Sequence, residues 1–429
     1  MKKIFSWGNL PFNKDIEILE YDENSFSSNE KNILTYGNGK SYGDVCLNTT
    51  LLSLEKQDKL IEIDEANNLL TCSSNLTVKE VLNDIVPRGY FLPVVAGTQN
   101  ITIGGAIAND IHGKNHHISG SIGNFIRSIK LHRSDKGIIF CDVNNYQSLF
   151  ESTIGGLGLT GTIISATIEL KKIDSIFIDT VSKKFNTFGE FLELNNNFEK
   201  KYEYCVGWVD LVNLRQDSFR GVMLAGNHSE GDNEKFTMPL KNRAVSLFFT
   251  PPFSLVNKFT IKILNQLYFL INKKDKSTKK KYTSFFFPLD VIRDWNIAYG
   301  KNGFYQYQFV IPNRNAESFF SQFLKILNNT KELPTLTVLK NFGASKPIGK
   351  LSFPREGVTL AIDFPNKGQT TLDFMEILDE LVMSNDGALY PAKDARMSKT
   401  VFEKSFPNKV NFEKDIDPKF SSFFWERVK

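Results

Sequence analysis

The sequence predicts an α+β fold in more than one domain, and three observations carry that prediction. A chain of 429 residues is too long for one ordinary hydrophobic core. Up to Leu170, short strands alternate with short helices around three glycine-rich turns. From Lys171 onward glycine thins out, aromatic residues multiply, and longer strands and amphipathic helices take over.

The elements follow in order. Ile33–Tyr36 reads as a strand feeding the turn Gly37-Asn38-Gly39-Lys40-Ser41-Tyr42-Gly43-Asp44. Residues 60–63 and 69–72 form a hairpin around residues 64–68. Thr77 opens a helix to Ile85, with Glu80 placed for a capping box. Residues 96–117 are small and polar, with Gly97, Gly104, Gly105 and Gly113 among Thr98, Thr102, Asn109 and Asp110. Such a segment wraps a ligand with its main chain, and phosphate is the common ligand of its N–H groups. Residues 125–133 and 137–142 are strands, 148–153 a helical turn, 155–161 the third glycine turn and 160–170 a long strand.

In the second region, residues 202–210 and 221–225 are β-rich. Residues 303–312 form a strand in which Gln306 and Gln308 share one face and Tyr305, Tyr307 and Phe309 the other. Strands at 335–340 and 358–364 lie between amphipathic helices at 316–328 and 371–384. The 37 Phe residues fit either large cores or an apolar substrate channel.

Composition excludes several classes. A net charge of +4 is too small to argue for nucleic acid. Cys46, Cys72, Cys141 and Cys205 form no CxxC pair, which argues against zinc or a disulfide scaffold and suits a cytoplasmic protein. No apolar run follows the first lysines, so no signal peptide is expected. Residues 245–271 are apolar, but Pro251-Pro252, Lys258 and Lys262 disqualify them as a membrane span. A lysine run at 272–281 follows, and two readings stand: a segment lying on an anionic membrane, or a buried helix with a solvated loop.

The glycine turns carry the chemistry. Gly39-Lys40-Ser41 lacks the upstream glycine of a P-loop, and no GxGxxG joins a strand to a long helix. Three glycine turns in one β-rich domain instead point to an extended ligand held at several points, such as a dinucleotide. His112, His116 and His117 admit three readings: metal ligands, structural groups beside a cofactor, or a catalytic contact from His112.

The string Asp110-Ile111-His112-Gly113-Lys114-Asn115-His116-His117 resembles the signature of the decaprenylphosphoryl-ribose 2-oxidases, flavoenzymes of the vanillyl-alcohol-oxidase superfamily. Residues 39–44, 155–161, 305–310 and 390–396 resemble further family segments, in the family's order and across nearly the whole chain. The resemblance implies a PCMH-type FAD-binding domain at 1–173, an antiparallel-sheet substrate domain at 174–387, and a segment at 388–429 that returns to the first.

It also implies non-covalent FAD, because Ser41-Tyr42 stand where several superfamily members tether the flavin through His. Gly37, Asn38, Gly39, Lys40, Ser41, Tyr42 and Gly43 would hold the pyrophosphate. Gly97, Thr102, Ile103, Gly104, Gly105, Asn109 and His112 would line the flavin and ribityl chain. Ile163 would meet the adenine end, and Tyr390 would close over the flavin. Lys393, Gln306, Gln308, Lys340 and His112 would form the active site, with Lys393 steering the proton and Trp208 nearby.

The implied reaction oxidises the C2 hydroxyl of a polyprenylphosphoryl pentofuranose. That step is the first half of an epimerisation in cell-envelope glycan synthesis, completed by an NAD(P)H-dependent short-chain reductase. Residues 245–281 would serve as a membrane-proximal arm at the inner face of the membrane. A sugar-lactone or alditol oxidase acting on a soluble substrate is the alternative within the superfamily, and a flavin-binding module without catalysis the alternative outside enzymes. Departures from the family pattern are Tyr36 and Lys40, each in place of Arg, and Leu157 in place of a frequent Asn. Ala361 stands where mycobacterial members carry Cys.

Overall fold

The structure, a computed structural model, describes residues 4–12, 14–23, 32–215, 218–231, 245–246, 249–272 and 276–429. Three of its sheets position the site. The smallest is parallel, with Thr50–Ser53 between Glu17–Glu20 and Ile33–Tyr36. The second is antiparallel, in the order Ile61–Asp64, Leu69–Ser73, Thr162–Glu169, Ile126–Arg133, Gly137–Asp142. Its strands alternate: Leu70 and Cys72 are buried while Leu69, Thr71 and Ser73 are not. The helix Val78–Ile85 carries the expected capping box between Thr77 and Glu80 and buries Val78, Val81, Leu82 and Ile85 in the same core. Each such aliphatic side chain contributes about 1.5–3 kcal/mol on burial.

The third sheet is fully antiparallel and eight-stranded. Its order is Lys276–Lys281, Phe177–Phe185, Ser218–His228, Tyr204–Arg215, Thr337–Phe342, Gly357–Pro365, Phe304–Ile311, Ala388–Leu389. One face packs on the helices Phe188–Glu199, Asn313–Asn328 and Gln369–Ser384 in one apolar core. The Phe surplus serves this layer: Phe309 meets Phe319 at 4.8 Å between centroids, and Phe188 stacks on Phe320 at 4.0 Å. On the opposite face Ile178 and Tyr204 join the core of the five-stranded sheet, and the strands beyond them carry the polar groups. Trp208, Val338, Ala361 and Gln308 form one cross-strand row, Lys340 and Thr359 the next, and Gln306 with Asp363 a third.

The tail closes the molecule. Tyr42 N–H donates to Ala392 O at 3.0 Å. Arg427 joins Asp44 at 2.8 Å to Asp394 at 3.2 Å, tying the last helix to the first glycine turn. On the helix side, Tyr307 OH donates to Asp379 at 2.8 Å, and Arg396 Nη1 donates to the same carboxylate at 2.6 Å.

Two expectations are corrected. The helix within residues 245–271 runs from Lys258 to Ile271 and lies on the surface, not in a core. The lysine run is not a loop over residues 276–281 but an edge strand, Lys276–Lys281, paired with Phe177–Phe185; residues 273–275 and 247–248 lie outside the described residues. Backbone pairing suffices for it, and lysines on an edge discourage pairing with another chain. The strand Phe177–Phe185 and the helix Phe188–Glu199 were not expected. Three consecutive asparagines weaken the helical pattern, and Thr187, which accepts from Glu190 N–H, was the available cap signal.

Asp379 and Arg396 are an almost buried pair. Asp379→Ala leaves the guanidinium and Tyr307 OH without their acceptor, and urea unfolding should show a loss of about 3–5 kcal/mol.

Candidate active site

The polar sheet face gathers side chains that the sequence singled out one by one. Period two in Phe304–Ile311 points Gln306 and Gln308 the same way, and both are buried. Gln306 Nε2 donates to Asp363 Oδ1 at 2.6 Å, and Gln308 Nε2 donates to Thr359 Oγ1 at 3.1 Å. Thr359 in turn donates to Phe309 O at 2.7 Å. Lys340, from the neighbouring strand, reaches His112: its Nζ lies 2.8 Å from His112 Nδ1 and donates to Gly113 O at 3.2 Å. His112 Nε2 is 3.0 Å from Gln308 Nε2.

The tail supplies two more groups. Tyr390 stacks on Phe353 at 4.6 Å, and its OH donates to Asn109 O at 2.8 Å. Lys393 Nζ sits 3.9 Å over the ring of Tyr42, joining the tail to the first glycine turn. His112, Lys340 and Lys393 each keep part of their surface exposed, so the cluster lines an opening. The five predicted catalytic residues come from four separate segments, and all of them meet here.

Burial sets the electrostatics. It lowers Lys340 to about 7, with Lys114 and Lys393 adding repulsion. It lowers Lys393 to about 8, against a pull upward from Asp363. Burial and then Lys340 hold His112 well below the ordinary imidazole value, so the ring is neutral. A neutral imidazole has one N–H and one acceptor. With Lys340 protonated, both neighbours offer N–H groups, and a neutral His112 can accept from only one of them. With Lys340 neutral, Nδ1–H donates to Lys340 and Nε2 accepts from Gln308 Nε2, which also serves Thr359. The hydrogen bonds around His112 are therefore complete when Lys340 is neutral.

Four residues were missed. Asp363 is fully buried, and burial raises it to about 7 against its hydrogen bond from Gln306 and the charge of Lys393. Tyr299 OH donates to Asp363 Oδ2 at 3.4 Å. Lys114 donates to Phe285 O and Phe286 O, and burial lowers it to about 7. Thr359 completes the set. Thr359, Ala361 and Asp363 alternate with Leu360, Ile362 and Phe364, which was the readable signal.

The glycine turns adjoin one another. A Cβ on Gly37 would lie 2.6 Å from Thr102 Oγ1, and Asn38 Nδ2 donates to Asn100 O at 3.0 Å. Gly43 is closed by Asp394 O, 1.7 Å from where its Cβ would stand. Lys40 lies 3.8 Å over the Trp7 ring. The third turn packs on the end of the helix Ile103–Ala108, where Leu157 N–H donates to Ala108 O at 2.7 Å. Leu157 has φ of 58°, a conformation that suits Asn better than Leu.

One expectation fails in detail. The N–H groups opening residues 103–105 are not free for a ligand: they donate to Leu76 O, Ser74 O and Thr102 Oγ1. Ile163 is buried in the five-stranded sheet, and its carbonyl accepts from Ser74 Oγ at 2.5 Å, one residue removed from Gly104. The histidines diverge. His116 packs on Phe342 at 4.3 Å, and His117 Nε2 lies 3.1 Å from Tyr202 O.

The surroundings fit FAD. A Cβ on Gly97 would meet no atom within 4 Å, and one on Gly105 only Thr102 Oγ1, so a planar group can approach this backbone. Asn109 Oδ1 is a buried acceptor without a partner, suited to an N–H of the flavin ring. Among the described residues, the amides of Asn38 to Ser41 have no backbone partner, which suits a pyrophosphate.

Comparison with known proteins agrees. Residues 24–142 match the FAD binding domain family. The decaprenylphosphoryl-β-D-ribose oxidase of Mycolicibacterium smegmatis is 31% identical over 401 residues, covering 90% of this chain and 86% of that protein. The chain belongs to the decaprenylphosphoryl-β-D-ribose oxidase family. It is an FAD-dependent oxidoreductase, with a PCMH-type FAD-binding domain and an antiparallel sheet flanked by helices. An uncharacterized protein of Streptomyces coelicolor is 24% identical over 350 residues, covering 77% of this chain and 92% of that one. A putative D-arabinono-1,4-lactone oxidase of Neurospora crassa is 24% identical over 140 residues, covering 32% of this chain and 25% of that protein.

Lys340→Met removes the cation beside His112 while leaving an unbranched side chain. Titration of 15N-histidine-labelled protein by NMR should show the His112 pKa rising; an unchanged value would mean that burial alone holds it down.

Proposed function

We propose that this oxidoreductase oxidises the C2 hydroxyl of a polyprenylphosphoryl pentofuranose to the ketone, with non-covalently bound FAD. The observation that carries the reading is the convergence of Lys340, Lys393, His112, Gln306 and Gln308 beside the first glycine turn. The mycobacterial relative, named for a decaprenylphosphoryl ribose, supports the substrate class.

In this reading residues 1–173 hold FAD, 174–387 hold the substrate, and 388–429 return the tail to the cofactor. Gly37 to Gly43 face the pyrophosphate; Gly97, Thr102, Ile103, Gly104, Gly105 and Asn109 face the flavin and ribityl chain; Ile163 stands toward the adenine end and Tyr390 against the flavin. Bound FAD supplies the oxidant that takes hydride from the carbon. Lys393 takes the hydroxyl proton at Nζ. Its lowered pKa of about 8 keeps a useful neutral fraction near neutral pH. Gln308 and His112 position the sugar, and Lys340 holds the phosphate when protonated. Gln306 is fixed by Asp363 and steadies the wall around Lys393.

The pairing of Lys340 with Lys393 favours a phosphorylated substrate over a neutral lactone. The ketone product suits a separate NAD(P)H-dependent short-chain reductase, which would complete an epimerisation in cell-envelope glycan synthesis at the inner face of the membrane. Among the described residues no helix is long and apolar enough to cross a membrane.

The purified protein should be yellow, and acid precipitation should release its flavin to the supernatant. A prenyl-phosphate pentose should bleach that flavin anaerobically, and a water-soluble aldonolactone should not; the opposite pattern selects the lactone-oxidase reading. Lys393→Ala should slow bleaching by about 100-fold or more, the scale of a lost general base, and a full rate would overturn its role. Asp363→Asn keeps an acceptor for Gln306 but removes the anion that raises Lys393. The acid limb of the pH–rate profile should therefore move to lower pH.

A further inference from the structure

The helix Lys258–Ile271 is turned inside out. Its anchor to the sheet is a polar clamp beside the rings of Tyr268 and Phe269: Asn265 Nδ2 donates to Asp210 Oδ1 at 2.8 Å, and Arg220 bonds both Asp210 Oδ2, at 2.9 Å, and Gln266 Oε1, at 2.8 Å. Asn265 is the buried residue of the helix, while Phe259 is 73% exposed, Leu264 57%, Leu267 49%, Leu270 58% and Ile271 72%. Phe249 and Phe253, on the chain leading into it, are 72% and 68% exposed. A contiguous apolar surface of this kind marks an interaction site. The polar clamp fixes the helix, so its apolar face serves something outside the fold.

The charge around it selects the occupant. Residues 250–289 contain eight lysines and a single acidic residue, Asp275. Lys258 and Lys262 lie on the helix itself and are exposed. Apolar residues beside cations suit a surface that offers hydrocarbon beneath negative charge. We infer that this face docks on an anionic lipid bilayer, with the helix axis along the membrane plane and Phe259, Leu264, Leu267 and Ile271 among the acyl chains.

The inner side of the helix meets the same sheet that carries the candidate active site. The Tyr268 ring lies 4.6 Å from that of Trp208, which shares a cross-strand row with Gln308. Docking therefore sets the polar sheet face beside the membrane, and a lipid-linked sugar reaches it with its tail still in the bilayer. This last step rests on the proposed lipid substrate; the docking itself does not.

The test uses the full-length holoprotein and co-sedimentation with vesicles. Mixed phosphatidylglycerol–phosphatidylcholine vesicles should bind it, and phosphatidylcholine alone far less. Replacing Phe259, Leu264 and Leu267 together by Ser should cut partitioning by about ten-fold or more, since each contributes buried apolar area. The flavin spectrum of the variant reports that its fold is intact. Lys258→Glu with Lys262→Glu should remove the salt-sensitive part of binding. Turnover of a detergent-dispersed short-chain substrate should be unchanged in the triple variant, and turnover of vesicle-embedded long-chain substrate should fall. If neither substrate turns over in the wild type, the substrate proposal fails while vesicle binding still reads docking. Docking is overturned if the wild type ignores anionic vesicles, if the variant binds them equally, or if the triple variant converts a wild-type dimer to monomer, which would make a second copy the occupant.

Discussion

The register of one antiparallel sheet holds everything else in place. Gln306, Gln308, Lys340, Thr359 and Asp363 come from three adjacent strands, and period two turns all five to the same side. A slip of one residue in Phe304–Ile311 would exchange Gln306 and Gln308 for Tyr305 and Tyr307. The other face prevents it: Tyr307 reaches Asp379, and Phe309 enters the Phe319 cluster, only in the observed register. The apolar layer therefore fixes the position of polar groups it never touches.

The second organising fact is an excess of positive charge held out of water. Lys114, Lys340 and Lys393 share their surroundings with Asp363 as the nearby carboxylate, and burial draws their proton affinities down toward neutrality. Such a place favours an anionic ligand and a neutral imidazole. His112 sits between Lys340 and Gln308, with one ring nitrogen toward each.

Much of this was legible in the residues. Alternation in Phe304–Ile311 gave the two glutamines one face, and the glycine turns marked backbone that a flat ligand can approach. The family resemblance joined the tail lysine to them across 80 residues or more of intervening chain. What escaped had physical reasons. Asp363 looked like a polar residue ending an apolar strand, since burial is a tertiary property. The N–H groups at residues 103–105 looked free because their acceptors, Leu76 and Ser74, lie in another segment. The Lys276–Lys281 strand has no apolar residue, so nothing in its pattern announces a sheet; its neighbour's backbone does all the recruiting.

The joint between Tyr42, Ala392 and Arg427 has a consequence for biosynthesis. The groups that close the first glycine turn stand about 350 positions after it, Ala392 against Tyr42, so the turn is synthesised well before them. At about 5–20 residues per second, roughly 20–80 s separate the two. During that interval the turn has neither the Ala392 acceptor nor the Lys393 ammonium over its tyrosine. A chain cut before the tail would leave the first glycine turn open on the side that Ala392 and Lys393 close.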